Sequence, residues 1–379
     1  MKKYIIIAAA AVMALAACSK VDNVGGDKRE INFQVANRLQ TKATGAIYDN
    51  GAFGTYAWYT AGSSAATSSQ NVAFMVNETV DKVGSVWKTS INTFYWPKTG
   101  AIDFISYSPF SGTNATADSN PAVTANSITY TNVTAGSVDY MYADKVKCSA
   151  NVDEVTDSDT ADSGYKGVPT VFRHALAKLS FKIKANFVEY TDPTTNKKTS
   201  WDVTVTSAKI GGFKNTGSCA LALNADGKHW DKPVTTVGTT DYNVWTSLSG
   251  ATSDQELVDA ATYPTGVLLT TTPQDLAAAN GYVMPQILEA GAQQLKLTIH
   301  IKTHLSNGLT IDEDYEPVID IMDISSLKAW EMNQNIVYTI NLKPVAYVSD
   351  WDTPNDVIIT FDPAVADWTN VDASATIQL

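Results

Sequence analysis

The chain of 379 residues carries 27 Lys and Arg against 39 Asp and Glu, a formal net charge of -12, and its pI is near 4.7. No basic cluster offsets that acidity, which excludes nucleic acid and other polyphosphates as partners, since those ligands need a cationic face that releases counterions. Charged residues are 17% and aromatics 10% of the chain, and with abundant Ser, Thr, Asn and Gly the mixture predicts an all-β protein.

The first residues run Met1-Lys2-Lys3, then Ile5-Ile6-Ile7 and a series of alanines, and close on Leu15-Ala16-Ala17-Cys18. The apolar core is too short for a permanent membrane span, and small residues before the cysteine suit a lipoprotein signal peptidase. Residues 1–17 therefore read as a signal peptide, with Cys18 as the acylated N-terminus of an outer-membrane lipoprotein. The lipid would be the firm membrane attachment, because no second apolar run of spanning length follows. Residues 18–28 are polar and read as a tether. Roughly 360 residues then remain, more than one core usually holds, so two domains are expected.

Ile31, Phe33 and Val35 alternate with Asn32 and Gln34, predicting a half-buried strand that ends at Asn37-Arg38-Leu39-Gln40-Thr41-Lys42. An exposed basic linker behind a strand invites proteolysis. A second strand is predicted over 53–59 and a loop over 60–70. Short aromatic strands follow at 86–88, 93–97 and 102–107, the last stopped by Ser108-Pro109, a pattern typical of a sandwich. Residues 151–162 carry Asp153, Glu154, Asp157, Asp159 and Asp162 and read as a solvated loop. A calcium site there would lack the glycine and terminal glutamate of an EF-hand. A domain boundary is placed after Lys166, giving domains 29–166 and 167–379.

Residues 171–183 settle into alternation through Leu179, Phe181 and Ile183 and read as one long strand. Further strands are expected at 203–210, 220–223 and 266–271. Ser253 and Glu256 form a capping-box pattern that predicts a short helix over 254–261. Leu295, Leu297, Ile299 and Ile301 alternate before Asn307-Gly308, the strongest hairpin signal in the chain. The last nine residues, Val371 to Leu379, alternate strictly between apolar and polar. Such a tail is either the last strand of its own domain or a strand given to an open sheet edge of a neighbour.

No nucleophile elbow, paired metal ligands, phosphate loop or dinucleotide fingerprint is present, so neither enzymatic activity nor a cofactor is expected. His300 and His304 lie on one strand face roughly 13 Å apart, too far to share a metal. His174 lacks a carboxylate, Ser or Cys partner in the local sequence and reads as a packed or hydrogen-bonded core histidine. The aromatics could line a sugar platform, though most fall within strand patterns and read as core. Cys148 and Cys219 could form one disulfide in an oxidising envelope, and spacing does not decide it.

Three stretches resemble the fimbrillin family, in particular the Mfa-like branch of the lipoproteins that build type V pili in Bacteroidetes. These are Thr93-Phe94-Tyr95-Trp96-Pro97 with Ile102 to Pro109, the run Phe172-Arg173-His174-Ala175-Leu176-Ala177-Lys178-Leu179-Ser180-Phe181, and Trp330 with Asn335 to Leu342. The resemblance implies two tandem transthyretin-like Greek-key β-sandwich domains and a structural subunit of a surface fimbria that mediates adhesion. It also implies maturation by a trypsin-like protease cutting after Arg38 or Lys42. The strand bearing Ile31, Phe33 and Val35 would then be lost, and the slot refilled by another subunit's tail through Val371, Ala373, Ala375, Ile377 and Leu379. The partners implied are other fimbrial subunits, the protease and the outer membrane. The alternative is a monomeric or tip lipoprotein that binds glycan or a host ligand.

Overall fold

The structure is a computed structural model that describes residues 30–37, 51–60, 72–84, 86–97, 100–110, 121–149, 160–162, 167–185, 188–194, 196–225, 227, 229–276, 281–324, 327–343 and 358–366. The described chain is nearly all β, arranged in multiple sheets. A single helical turn, Ile321–Ile324, is the helix among the described residues.

The chain divides into two compact units. The first takes residues 1–133, 138–175 and 218–233, and the second takes 134–137, 176–217 and 234–379. Residues 167–175 fall in the first unit and 176–217 in the second.

The strands of the first unit are β1 (Asn32–Asn37), β2 (Phe53–Thr60), β3 (Val72–Val83), β4 (Val86–Thr89), β5 (Ala101–Ser108), β6 (Ala122–Thr124), β7 (Ser127–Thr134), β8 (Met141–Ala143), β9 (Val146–Ser149), β10 (Thr160–Asp162) and β11 (Val168–His174). Nine of them form one sheet in the order β10-β9-β5-β2-β3-β4-β1-β11-β8, and β8 also pairs with β5. That extra pairing closes β5, β2, β3, β4, β1, β11 and β8 into a ring with no free edge among them. The ring encloses a core of Ile31, Phe33, Phe53, Ala57, Met75, Val80, Trp96, Ile102, Phe104, Met141, Ala143, Cys148, Val168 and Phe172. A smaller sheet runs in the order Trp230–Asp231, Lys214–Leu223, β7 and β6.

The second unit begins with β12 (Ala177–Ala185), which pairs in parallel with the strand Asn335–Lys343. That strand pairs antiparallel with Ile358–Ala366 on its other side. A second sheet joins Lys198–Gly211 to Gln294–Leu305 and then to Thr310–Tyr315. Inward side chains of the two sheets, among them Leu179, Phe181, Val203, Val205, Leu297, Ile299, Ile336 and Tyr338, form one apolar cluster. The Asn307-Gly308 turn falls where expected, with Gly308 at φ +85° and His304 opposite Thr310.

Three expectations need correction. The run 171–183 is two strands rather than one. Val168, Thr170 and Phe172 are buried at even positions, whereas Ala177, Leu179, Phe181 and Ile183 are buried at odd ones. The alternation slips by one residue across His174 to Leu176, and the slip is where the chain leaves one unit for the other. The helix expected over 254–261 is absent, because Gln255 and Glu256 pair antiparallel with Ile210 and Lys209. The Leu257 N–H continues this by donating to the Ala208 carbonyl at 2.7 Å. Tertiary pairing overrides the capping pattern, and Asp259 instead organises the turn that follows through its bonds to Ala261 and Thr262. Residues 93–97 are not a strand either; they contribute an isolated bridge between Glu30 and Tyr95.

Cys148 and Cys219 are both buried and are not joined in a disulfide, the pairing that the sequence left open. Burial pushes the Cys219 thiol up from 9.0 to about 12.

Candidate assembly site

The strand on which strand exchange would act, β1, lies inside the ring rather than at an edge. On one side it pairs in parallel with β11, Phe33 opposite Val168 through Asn37 opposite Phe172. On the other it pairs antiparallel with β4, Asn32 opposite Lys88 and Phe33 opposite Trp87. The Ile31 N–H adds a bond to the Phe94 carbonyl at 2.9 Å. Lys88 Nζ stands 3.4 Å from Glu30 Oε1, a pair about one-third exposed at each end and therefore a weak tie.

Alternation places Ile31, Phe33 and Val35 on one face of β1. Ile31 and Phe33 are 0% and 3% exposed, and Val35 packs partly buried against the same core. Phe33 sits edge-on to Phe53 at 5.6 Å and to Phe104 at 5.8 Å between ring centroids. Phe53 in turn packs against Phe172 of β11 at 5.3 Å. Burying Ile31 and Phe33 contributes roughly 1.5–3 kcal/mol each. Their loss would leave an apolar slot bordered by two strands, β4 and β11, with unpaired N–H and C=O groups.

Gly167 fixes the parallel approach of β11. Its φ is +107°, and a Cβ there would stand 2.9 Å from the Phe33 carbonyl carbon and 3.0 Å from the Asn32 oxygen. Sequence reading missed this residue, since one glycine after an acidic loop carries no local signal of a close approach to a strand about 130 residues earlier. It also missed Asp139. His174 Nδ1 lies 2.9 Å from Asp139 Oδ1, so the carboxylate absent from the local sequence arrives from 35 residues upstream. Arg173 beside it makes two bonds of 2.8 Å to Asp144, one from Nε and one from a terminal nitrogen.

His300 and His304 face separate carboxylates across the sheet. His300 Nδ1 lies 2.8 Å from Asp314 Oδ1, and His304 Nε2 lies 3.0 Å from Asp202 Oδ2. Among the described residues no group of three or more His, Cys, Asp or Glu is placed to hold a metal ion. No helix among them is long and apolar enough to cross a membrane. Cys18, Arg38, Lys42, the 151–159 part of the acidic loop and the tail Val371, Ala373, Ala375, Ile377 and Leu379 lie outside the described residues. Arg38 directly follows the last residue of β1.

A nearly all-β chain in several sheets, with β1 paired in parallel to β11 and β12 in parallel to Asn335–Lys343, is consistent with a β-sandwich fold. The family model described as fimbrillin-like matches residues 41–368, and the chain belongs to that family. A fimbrial protein from Bacteroides vulgatus shares the fold at a TM-score of 0.51 and 17% identity, covering 90% of this chain and 100% of its own. The fimbrial anchor protein Mfa2 of Porphyromonas gingivalis aligns over 92% of this chain and 100% of its own, at 10% identity and a TM-score of 0.26. The tip fimbrial protein Mfa3 of the same organism, with a C-terminal truncation, aligns over 88% and 97%, at 11% identity and a TM-score of 0.29. Among curated proteins none matches.

Proposed function

We propose that this protein is a non-enzymatic structural subunit of a cell-surface fimbria, delivered as an outer-membrane lipoprotein and polymerised by protease-triggered strand exchange. The observation that carries the reading is the position of β1, a strand buried between β4 and β11 whose last residue stands next to Arg38. Cleavage after Arg38 or Lys42 cuts the covalent tie between β1 and the rest of the unit. What then holds β1 is noncovalent: backbone pairing on two sides and the side chains Ile31, Phe33 and Val35. Loss of the strand opens the ring and exposes two strand edges and an apolar slot, which makes capture of a new strand favourable. The tail 371–379 supplies five apolar residues at alternate positions to refill it. Membership of the fimbrillin-like family supports the subunit role and a surface location.

The test is to digest the purified precursor with trypsin, sequence the new N-terminus and look for SDS-resistant ladders. The reading expects a cut after Arg38 or Lys42, ladders after the cut, and no ladders when residues 372–379 are deleted. Ladders that survive that deletion would remove the tail from the mechanism, and a cut precursor that stays monomeric would remove strand exchange itself.

A further inference from the structure

The outer face of β2 and β5 is packed at one end, where Ile105 and Tyr107 are 0% exposed and Tyr107 lies 6.5 Å from Tyr56 between ring centroids, and carries partly exposed aromatics beside it. Tyr56 and Trp58 of β2 have nearly parallel rings, 13° between planes and 6.0 Å between centroids. Both are partly exposed. Their neighbours Ala57, Ile102, Phe104 and Cys148 point into the core, so by strand alternation Tyr56, Trp58, Asp103 and Lys147 project from the opposite face.

Trp58, Asp103 and Lys147 stand in one cross-strand row, Trp58 opposite Asp103 and Asp103 opposite Lys147. The row spans β2, β5 and β9, roughly 10 Å from two inter-strand spacings. Lys145 Nζ lies 3.8 Å from Asp103 Oδ2, with these side chains 11% and 13% exposed, so this ammonium is committed to the carboxylate. It also donates to the Ala125 carbonyl at 3.1 Å. Burial pushes the Asp103 carboxyl up, and the charges of Lys145 and Lys147 pull it down. Lys147 makes no ion pair within 4.0 Å among the described residues, and it is partly exposed on the strand position facing away from the core beside the row of Trp58 and Asp103.

Stacked, partly exposed rings offer a flat apolar face to the C–H face of a pyranose. Asp103, 13% exposed and held by Lys145, keeps the edge of the row polar, and Lys147 supplies a cation two strands from Trp58. The chain as a whole is acidic at -12, but at physiological salt charges are screened beyond roughly 8 Å, so the local set of Lys145, Lys147 and Asp103, two cations against one carboxylate, outweighs the distant acidity. We propose that Tyr56, Trp58, Asp103 and Lys147 form a saccharide-binding site selective for a pyranose that bears a carboxylate, of the uronate or sialate class. The inference is independent of strand exchange and names the chemistry of a surface that the fimbrial subunit would adhere to.

The experiment titrates the uncut full chain, by isothermal calorimetry and by Trp fluorescence, with trigalacturonate and sialyllactose and with their neutral counterparts maltotriose and lactose. The expected result is saturable binding of at least one carboxylated probe, tighter than its neutral counterpart. Trp58→Ala should weaken it at least about tenfold, as loss of a central aromatic contact does, while Trp58→Phe retains it. Lys147→Gln should bring the carboxylated probe down to the neutral one. No binding by any probe, equal binding of the acidic and neutral members, or an unchanged affinity in a folded Trp58→Ala variant would each overturn the proposal. Ladder formation without saccharide binding would sink this site and leave the assembly reading standing, and binding without ladders would do the reverse.

Discussion

Gly167 lies against the backbone of Phe33, with room for hydrogen and none for a methyl: a Cβ would come within 2.9 Å of the Phe33 carbonyl carbon. The contact seats β11 beside β1 and makes the parallel pair possible. Gly167→Ala combines a left-handed φ with this clash, so it should destabilise the first unit by roughly 1–3 kcal/mol. It should also speed trypsin cleavage near Arg38, because a looser β1 holds the linker behind it less firmly. Urea unfolding and the rate of proteolysis check the two effects.

Phe33→Ala removes a ring that touches both Phe53 and Phe104. The expected cost is roughly 3–5 kcal/mol, with a residual cavity, against a smaller loss for the less buried Val35→Ala. Equal losses at the two positions would mean that β1 is not seated by its aromatic side chain. The urea midpoints of the two variants decide it.

In the second unit Trp330 Nε1 donates to the Tyr338 hydroxyl at 3.0 Å, and both side chains are buried. Tyr338→Phe leaves a buried indole N–H without that acceptor and should cost roughly 1–3 kcal/mol. The ring stack of Tyr338 on Phe181, 5.4 Å between centroids, survives the change. Thermal unfolding followed by near-ultraviolet dichroism measures the loss without confusing it with lost packing.

Cys219 sets a pH dependence. Its thiol is raised from 9.0 to about 12 in the folded protein, so the unfolded chain gives up this proton first. Stability from this group is intact below about pH 8.5 and falls as pH rises towards 12, by up to about 1.4 kcal/mol per pH unit. Cys219→Ala should flatten that part of the alkaline slope, leaving the contribution of buried tyrosines such as Tyr130, which burial also raises. Urea midpoints at about pH 7.5 and 10.5 test it. Neither Cys148 nor Cys219 should react with a thiol reagent until the protein unfolds, since both are buried.

How much of this was legible in the sequence depended on the range of the interaction. Ile31, Phe33 and Val35 announced a strand because alternation is local, and Asn307-Gly308 announced a hairpin because its turn needs a positive φ that glycine supplies. Phe172 and Leu179 also held the two-unit division in plain view, one buried at an even and the other at an odd position. A reading that sums hydrophobicity along 171–183 misses that change of phase. Asp139 beside His174 and Gly167 beside Phe33 were invisible, because each relation joins residues far apart in the chain. Ser253 and Glu256 misled, since a capping pattern states a local preference that pairing with Lys209 and Ile210 overrode.

The central claim is that β1 and the lipid leave together when the subunit enters the fibre. Intact-mass measurement of subunits released from sheared surface fibres tests it most directly. The account predicts a mass that begins at Leu39 or Ala43, with no acyl group and no Ile31–Val35 segment. Fibre subunits that still carry acylated Cys18 joined to β1 would contradict it.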